Sequence, residues 1–596
     1  MCGICGILRR RPISREDASL VEEMKSSLVH RGPDSEGLYV RDNIALGIRR
    51  LSIIDVSGGT QPLFDETKSL VLVANAEIYN YVELTEELKS RGHIFSTGSD
   101  CEVILHLYQE EGPGCLQRLR GMFTFALWDG KSRSLFLARD RMGEKPLYLY
   151  EGKDLFAFAS EFKALKKMLP AGISLDRRSV NLFFHYQYVP EPDTIVSGVK
   201  KLAAAHYIII KSGDLSARPA LYWNSQAAPP VEGNPAQRIR AALEETMPLI
   251  LRSDVPVGIA LSGGIDSGAI ASLAAKNYRD RLHAFTVGYP GNQLCDERSQ
   301  ARGLAEKLGL YFHDVEISTD DFVNSFPSLV YSMDDPIADI AAYGYYSVTR
   351  LARSCNVPVM LNGFGGDELF WGYPWVRSAV RKSLFKSRMP FVRFLSKNRM
   401  SFYDLAPDFQ NARRIFNSLY TKEFSAGINA DDIYAPFISD GGWEPVDAKI
   451  CQMAFNTWLI SNCIALGDRL SMASSVEMRL PLLDYKFVEL VIGLRKVTSD
   501  YALPPKKWFK DALKDLLPHD MLNRPKRGFI PPHREWFKSV LHKYADFIND
   551  GYLINRRILQ KDKTSDFIDL SASGNLNMSI AYRILVLEMW CRKFLL

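Results

Sequence analysis

Two short stretches carry residue types and spacings that do chemistry. The chain begins MCGICG, with Cys2 directly behind the first methionine and Cys5 three positions on. A Cys-x-x-Cys pair can serve as zinc ligands, a redox couple, a lipid anchor or a nucleophile. Zinc would need further ligands, and the sequence holds no second Cys-x-x-Cys and no closely paired histidines. Lipidation signals set the cysteine or glycine in other contexts. The second stretch is LSGGIDS at 261–267. Ser262, Gly263 and Gly264 let the backbone curl and aim successive N–H groups at one point in front of a helix, which is the geometry that holds a phosphate. The lysine and longer glycine spacing of the Walker loop are missing, so motor and kinase readings lose support, and a purely structural strand-to-helix turn is the alternative.

The elements that position these residues fall into two kinds. Around LSGGIDS, the buried-strand run VPVGIALSGG leads into DSGAIASLAAKN with apolar residues at helical spacing, followed by the strand LHAFTVGY and a helix near ERSQARGLAEKLG. In that last helix Ala301, Leu304, Ala305 and Leu308 line one face. Alternating strands and helices imply a parallel, doubly wound sheet. The N-terminal part reads differently: short β-rich runs such as SLVLVANAEIYN, FTFALWD, SLFLARD and LFAFAS are separated by turn residues, as in packed sheets. The Pro/Gly/Ala/Ser cluster SQAAPPVEGNPAQ divides the two near residue 225, giving expected domains 1–224 and 225–596.

Composition sets the outer bounds. A chain of 596 residues exceeds what one core usually serves. A net charge of +5, from 74 basic and 69 acidic residues, argues for no nucleic-acid partner. Nine scattered cysteines give no disulfide framework and point to a reducing compartment. The start lacks the pattern of a secretory signal, and no apolar run approaches the roughly 20 residues of a membrane span. A cytoplasmic protein with no membrane partner is expected, with homodimerisation left open.

SGGIDS, NGFGGDELFWGYP (362–374) and DRLSMASSVEMRLPLLD (468–484), together with MCGICG, HRGPDSEG, RRLSIID, NAEIYN, GSDCEV and LARDRMGEKPLY, resemble the glutamine-hydrolysing asparagine synthetase family over nearly the whole chain. The resemblance implies an α+β N-terminal Ntn-hydrolase sandwich, the class II glutamine amidotransferase fold, joined to an α/β doubly wound ATP-pyrophosphatase domain with a helical C-terminal part. It implies that Met1 is removed and that the freed α-amino group of Cys2, with a pKa of about 8, takes the proton of its own thiol, about 8.5. Arg50 would grip the α-carboxylate of glutamine, Glu77 and Asp100 its α-ammonium, and Asn75 with the backbone N–H of Ala76 the developing oxyanion. In the second domain Ser262, Gly263, Gly264, Asp266 and Ser267 would hold ATP phosphates. Leu261, Val287, Asn362 and Gly363 would frame the adenosine, and Asp266 and Asp367 would carry Mg²⁺. Lys506 would face the leaving pyrophosphate, with Lys507 one residue of slip away. Ammonia would then pass through a dry internal tunnel to a carboxylate activated as an acyl-adenylate. Cys5 reads as an ordinary buried cysteine beside the site.

Two positions depart from the family pattern. Ala76 stands where glycine is usual, and if the backbone there needs φ above zero, alanine costs roughly 1 kcal/mol and slows glutamine hydrolysis. Phe364 stands where relatives place Glu or Asp, so either Asp367 or Glu368 takes over or the acceptor pocket is remodelled for an acid other than aspartate, such as a uronic-acid sugar of a surface polysaccharide or a natural-product acid. Trp371, Tyr373 and Trp375 could form a sugar-binding face or plain core. A non-catalytic scaffold is the third reading, and the intact set Cys2, Arg50, Asn75 and Asp100 argues against it.

Overall fold

The computed structural model describes residues 2–291, 296–389, 400–403, 405, 409–440, 445–524, 531–574 and 577–596. Its N-terminal part is built on two six-stranded sheets. One runs in the order Val199–Lys201, Tyr148–Glu151, Leu155–Ala159, Cys2–Arg9, Ile44–Arg50, Ser35–Arg41; the other Ala220–Leu221, His206–Lys211, Ser134–Arg139, Gly121–Asp129, Leu70–Ile78, Leu63–Phe64. Every pairing within them is antiparallel.

Strand alternation decides which residues meet. Cys2, Ile4 and Leu8 from one sheet pack against Val71 and Val73 from the other, with Ala126, Trp128, Leu135 and Leu137, in the layer between the sheets. Residues of opposite parity face outward. Cys5 and Ile7 cluster with Val21 and Met24 of helix Arg15–Ser26. Leu72, Ala74, Ala76 and Ile78 cluster with helices Tyr81–Ser90 and Glu102–Glu111. Two helical layers thus enclose two sheets. Helix Arg15–Ser26 starts on a Ser14/Asp17 capping box. Asp17 also receives Arg9 at 2.6 Å and Arg11 at 2.7 Å, so two members of the basic run are tied down.

The second part carries a five-stranded sheet in the order Tyr311–Glu316, His283–Gly288, Val257–Ala260, Val359–Leu361, Glu477–Arg479, all parallel. Helices Ile265–Asn277, Arg298–Lys307, Thr319–Met333 and Ala342–Ser354 connect the first four strands. Strand order reverses between Val257–Ala260 and Val359–Leu361, and in open sheets of this kind ligands bind at the carboxyl ends of the strands flanking such a switch point. Helix Pro235–Ile250 leads into this part. Among the described residues no helix is long and apolar enough to cross a membrane.

Candidate active site

The register pairs Cys2 with Arg50 across neighbouring strands. Between the sheets, the Cys2 N–H donates to Asn75 Oδ1 at 2.8 Å. Asn75 is fully buried and its Nδ2 meets no hydrogen-bond partner. Leaving a buried amide donor unmade costs about 1–3 kcal/mol, so the atom marks a place where a ligand acceptor belongs. Burial pushes the Cys2 thiol above its ordinary pKa, against the pull of the Arg50 guanidinium and the Leu51 N–H. Arg50 is held by Ser52 Oγ and by the carbonyls of Ile54 and Asp55, each at 2.9 Å. Asp100 accepts the Ile78 N–H at 2.7 Å, and burial raises its carboxyl.

Two expectations need correction. Ala76 lies within the extended strand Leu70–Ile78 and has no positive φ. The backbone penalty expected there does not arise, and the slowed glutamine hydrolysis inferred from it loses its basis. Along the same strand the Ala74 N–H goes to Gln61 Oε1 at 2.7 Å and the Ile78 N–H to Asp100. Alternate N–H groups of a strand point the same way, so the Ala76 N–H is aimed at that edge between them. Cys5 is buried as expected but not beside the site. Its thiol lies 3.9 Å from the Val21 carbonyl on the far face of the sheet, so Cys2 and Cys5 cannot act as a pair.

The second part reaches into this pocket through buried ions. Arg31 donates Nε to the Cys2 carbonyl at 3.1 Å and its Nη atoms to Glu161 at 2.9 Å and to Asp468 at 2.9 and 3.1 Å. Arg479, on the edge strand of the parallel sheet, pairs with Glu77 at 2.9 Å and with Glu477 at 2.6 Å. Its own carbonyl accepts the Asn362 N–H at 3.0 Å. Burial drives the Glu77 carboxyl well up, with Arg479 opposing. Arg120 binds Asp484 at 2.8 and 3.0 Å. A cavity lined by Tyr79, Met142 and Glu144 on one side and Leu480, Leu483 and Asp484 on the other lies at this junction. Arg31, Asp468, Glu477 and Arg479 lie inside stretches that the sequence reading singled out, yet only the docked structure assigns them partners.

At the switch point, the loop after strand Val257–Ala260 curls as expected. The Ser262 N–H donates to Ser267 Oγ at 3.1 Å and the Gly264 N–H to Ser262 Oγ at 3.1 Å, with Gly264 capping helix Ile265–Asn277. The Gly263 N–H donates to a carboxylate oxygen of Glu297 at 3.1 Å, so this loop already binds an anion of its own chain. Sequence reasoning missed Glu297. Leu261, Val287, Asn362 and Gly363 stand at the carboxyl ends of three adjacent strands. Lys506 Nζ lies 2.6 Å from Asp266 and 2.7 Å from Asp367, while Lys507 pairs with Asp511 on the surface. Lys506 has φ +59°, a left-handed conformation that turns its side chain inward at the start of helix Lys507–Ala512. Burial lowers its pKa, but Asp266 and Asp367 outweigh that and raise it to about 12.

The two carboxylates suit a hard cation, which prefers oxygen ligands. Glycines cradle them: a Cβ on Gly366 would lie 2.4 Å from the Asp266 carboxyl carbon, and one on Gly372 1.8 Å from Asp367 Oδ1. Phe364 packs edge-on against Tyr345, ring centroids 5.4 Å apart, and sits against Gly467. Glu368 accepts from Tyr373 Oη at 3.2 Å. Trp371 is core: it is buried, donates to Asp500 at 2.6 Å and lies under Arg495. Trp375 is exposed and stacks on Tyr373.

Residues 1–223 match the family model of the glutamine amidotransferase domain and residues 238–592 that of asparagine synthase. The two halves define a class, a glutamine amidotransferase domain joined to an asparagine synthase domain. The chain is 31% identical to asparagine synthetase [glutamine-hydrolyzing] 1 of Bacillus subtilis, over 95% of this chain and 91% of that protein. It is 34% identical to a putative asparagine synthetase [glutamine-hydrolyzing] of Mycobacterium bovis, over 90% and 89%, and 29% identical to asparagine synthetase [glutamine-hydrolyzing] 3 of B. subtilis, over 92% of each. The chain belongs to the asparagine synthase family.

Proposed function

We propose that the protein is a glutamine-hydrolysing asparagine synthetase in which domains 1–224 and 225–596 catalyse two half-reactions and pass ammonia between them. The observation that carries the reading is the contact between the Cys2 N–H and Asn75 Oδ1, beside an Asn75 Nδ2 that lacks a partner. With Met1 removed, the α-amine of Cys2 takes the thiol proton and the thiolate attacks the side-chain carbonyl of glutamine. Asn75 Nδ2 and the Ala76 N–H receive the oxyanion. The Cys2 ammonium returns its proton to the amide nitrogen, and collapse expels ammonia and leaves a thioester that water hydrolyses to glutamate. Arg50 takes the α-carboxylate. Asp100, with the Glu77 oxygen not held by Arg479, takes the α-ammonium, whose positive charge favours the ionised form that burial disfavours in both carboxyls.

In the second domain the 262–267 loop binds the ATP phosphates, displacing Glu297 from the Gly263 N–H. Asp266 and Asp367 would hold Mg²⁺, which when bound neutralises charge on the phosphates. Lys506, protonated across the working pH range, balances the charge that collects on the leaving pyrophosphate. The substrate carboxylate becomes an acyl-adenylate, which ammonia attacks. We assign the crossing of ammonia to the junction between Tyr79 and Leu483, where the route has to be shielded from bulk water to keep it unprotonated. Function in the cytoplasm fits this chemistry.

One observation favours a second reading of the acceptor. The Phe364–Tyr345 pair offers an apolar aromatic face where the family resemblance implies an acidic side chain, which suits a ring-bearing acid such as a uronic-acid sugar. Pyrophosphate release with glutamine, Mg-ATP and either aspartate or nucleotide-linked uronic acids decides between them. A response to aspartate alone establishes the synthetase; a response to uronic acids alone replaces the acceptor; no response to any acid defeats both.

A further inference from the structure

On the outer face of the amidotransferase domain three side chains converge that the chemistry above does not use. Glu66 lies in the turn before strand Leu70–Ile78, His93 in the loop after helix Tyr81–Ser90, and His106 on helix Glu102–Glu111. His93 Nδ1 is 3.9 Å and His106 Nδ1 3.6 Å from the same oxygen, Glu66 Oε1. One ligand atom from each of the three lies within 4.8 Å of the other two. Around a tetrahedral ion with bonds of about 2.0–2.1 Å, neighbouring ligand atoms stand about 3.4 Å apart. The Glu66 edges therefore need to close by only about 0.2 and 0.5 Å. His93 sits on a loop and keeps some exposure, so it is the ligand free to adjust.

A second feature is independent of this convergence. Each imidazole has a carboxylate near Nε2: Glu110 is hydrogen-bonded to His93 at 3.0 Å, while Glu102 lies 3.6 Å from His106, just beyond hydrogen-bond reach. Glu102 is itself fixed by the Ser96 and Thr97 N–H groups at 2.6 and 2.8 Å. A carboxylate behind an imidazole draws the ring proton to that side and leaves the other nitrogen's lone pair for a metal. The His93 Nδ1 lone pair then faces Glu66, whereas the His106 Nδ1–H donates to Gln109 Oε1 and its proton has to move to Nε2, toward Glu102, for a metal to bind. Around the cluster, the Ile94 N–H donates to Glu66 Oε1 and Gln109 Nε2 to Glu66 Oε2, each at 3.2 Å, while Gln109 Oε1 stands 3.1 Å from His106 Nδ1. Gln109 or a water completes four-coordination.

We propose that Glu66, His93 and His106 form a binding site for a divalent transition-metal ion, zinc by the character of its ligands. A two-His, one-carboxylate set suits that ion better than calcium or magnesium, which prefer oxygen ligands alone. The ion joins three separate segments and braces the start of helix Glu102–Glu111, just beyond Asp100.

The test uses the full chain stripped with a chelator and titrated with Zn²⁺ by calorimetry and with Co²⁺ by visible absorption. Glu66→Gln and His93→Gln are the chosen variants because both side chains reach solvent, whereas His106 is core. Wild type is expected to take up an ion at micromolar concentration with tetrahedral cobalt absorption, and each variant to bind it at least tenfold more weakly. Glu110→Gln, which removes the carboxylate behind His93 together with an exposed pair to Arg91, is expected to weaken binding about tenfold. Failure of wild type to bind, or the same isotherm in wild type and Glu66→Gln, overturns the proposal.

Discussion

Asn75 contributes two different atoms to the candidate glutaminase site, and two substitutions separate them. Asn75→Asp keeps the shape and an oxygen for the Cys2 N–H but removes the donor that meets no hydrogen-bond partner. Losing one preorganised oxyanion donor costs about 2.7–4 kcal/mol in the transition state, roughly 10²–10³ in kcat. The contact is made with the tetrahedral intermediate, so KM for glutamine should move only a few-fold. Asn75→Ala loses the donor as well and also strands the buried Cys2 N–H, adding about 1–3 kcal/mol of destabilisation that a thermal melt will register. The assay is glutamate formation from glutamine, beside ATP-dependent product formation fed with ammonium salts. The second should be untouched by either change, because the parallel-sheet site is intact. The Asn75→Asp variant should also recover activity as pH falls, since a protonated carboxyl regains a donor. A kcat for Asn75→Asp within threefold of wild type, measured at alkaline pH, would refute the oxyanion role.

Other consequences follow from the buried ions. Lys506→Met should lower ATP-dependent pyrophosphate release by about 10³ or more while leaving glutamine hydrolysis intact; Lys507→Met, which removes only an exposed pair with Asp511, should stay within twofold. The raised pKa of Lys506, about 12 in the folded chain, stabilises the protein fully below the unfolded lysine value of about 10.4 and is lost as pH climbs through 12. A Lys506→Met variant should therefore lose the part of the alkaline stability decline above pH 10 that wild type shows, worth on the order of 1 kcal/mol between pH 8 and pH 11 in urea melts, because pH 11 still lies below the folded pKa. Arg479→Met leaves Glu77 and Glu477 buried without their cation, about 3–5 kcal/mol of destabilisation, and adding Glu477→Gln should restore part of it in a double-mutant cycle. Additive melts for that pair would rule out the shared network.

What the sequence could disclose was what neighbouring residues settle among themselves. LSGGIDS reads as a phosphate loop because strand, turn and helix follow in immediate succession, and the structure builds it at the switch point with Gly264 as the helix cap. Parity along a strand already separates Cys2 from Cys5, a deduction open to the sequence once MCGICG is taken as extended. The Ala76 backbone is set by pairing with Phe123 on the next strand, which no local pattern states. Lys506 and Lys507 are chemically alike, and only the left-handed turn at Lys506 decides which one faces the carboxylates. The contacts furthest from the reach of sequence are Arg31 with Asp468 and Glu77 with Arg479, since each joins residues hundreds of positions apart and exists only when the two domains dock. Burying these ions gains little against apolar packing of the same volume. Their effect is directional: a shift of the parallel sheet that moves Asn362 pulls on the Arg479 carbonyl, and Arg479 holds the carboxylate two residues from Asn75. A charge network of this kind fixes one docked geometry, and it links the Asn362 backbone of one domain to the Glu77 carboxylate of the other through a single arginine.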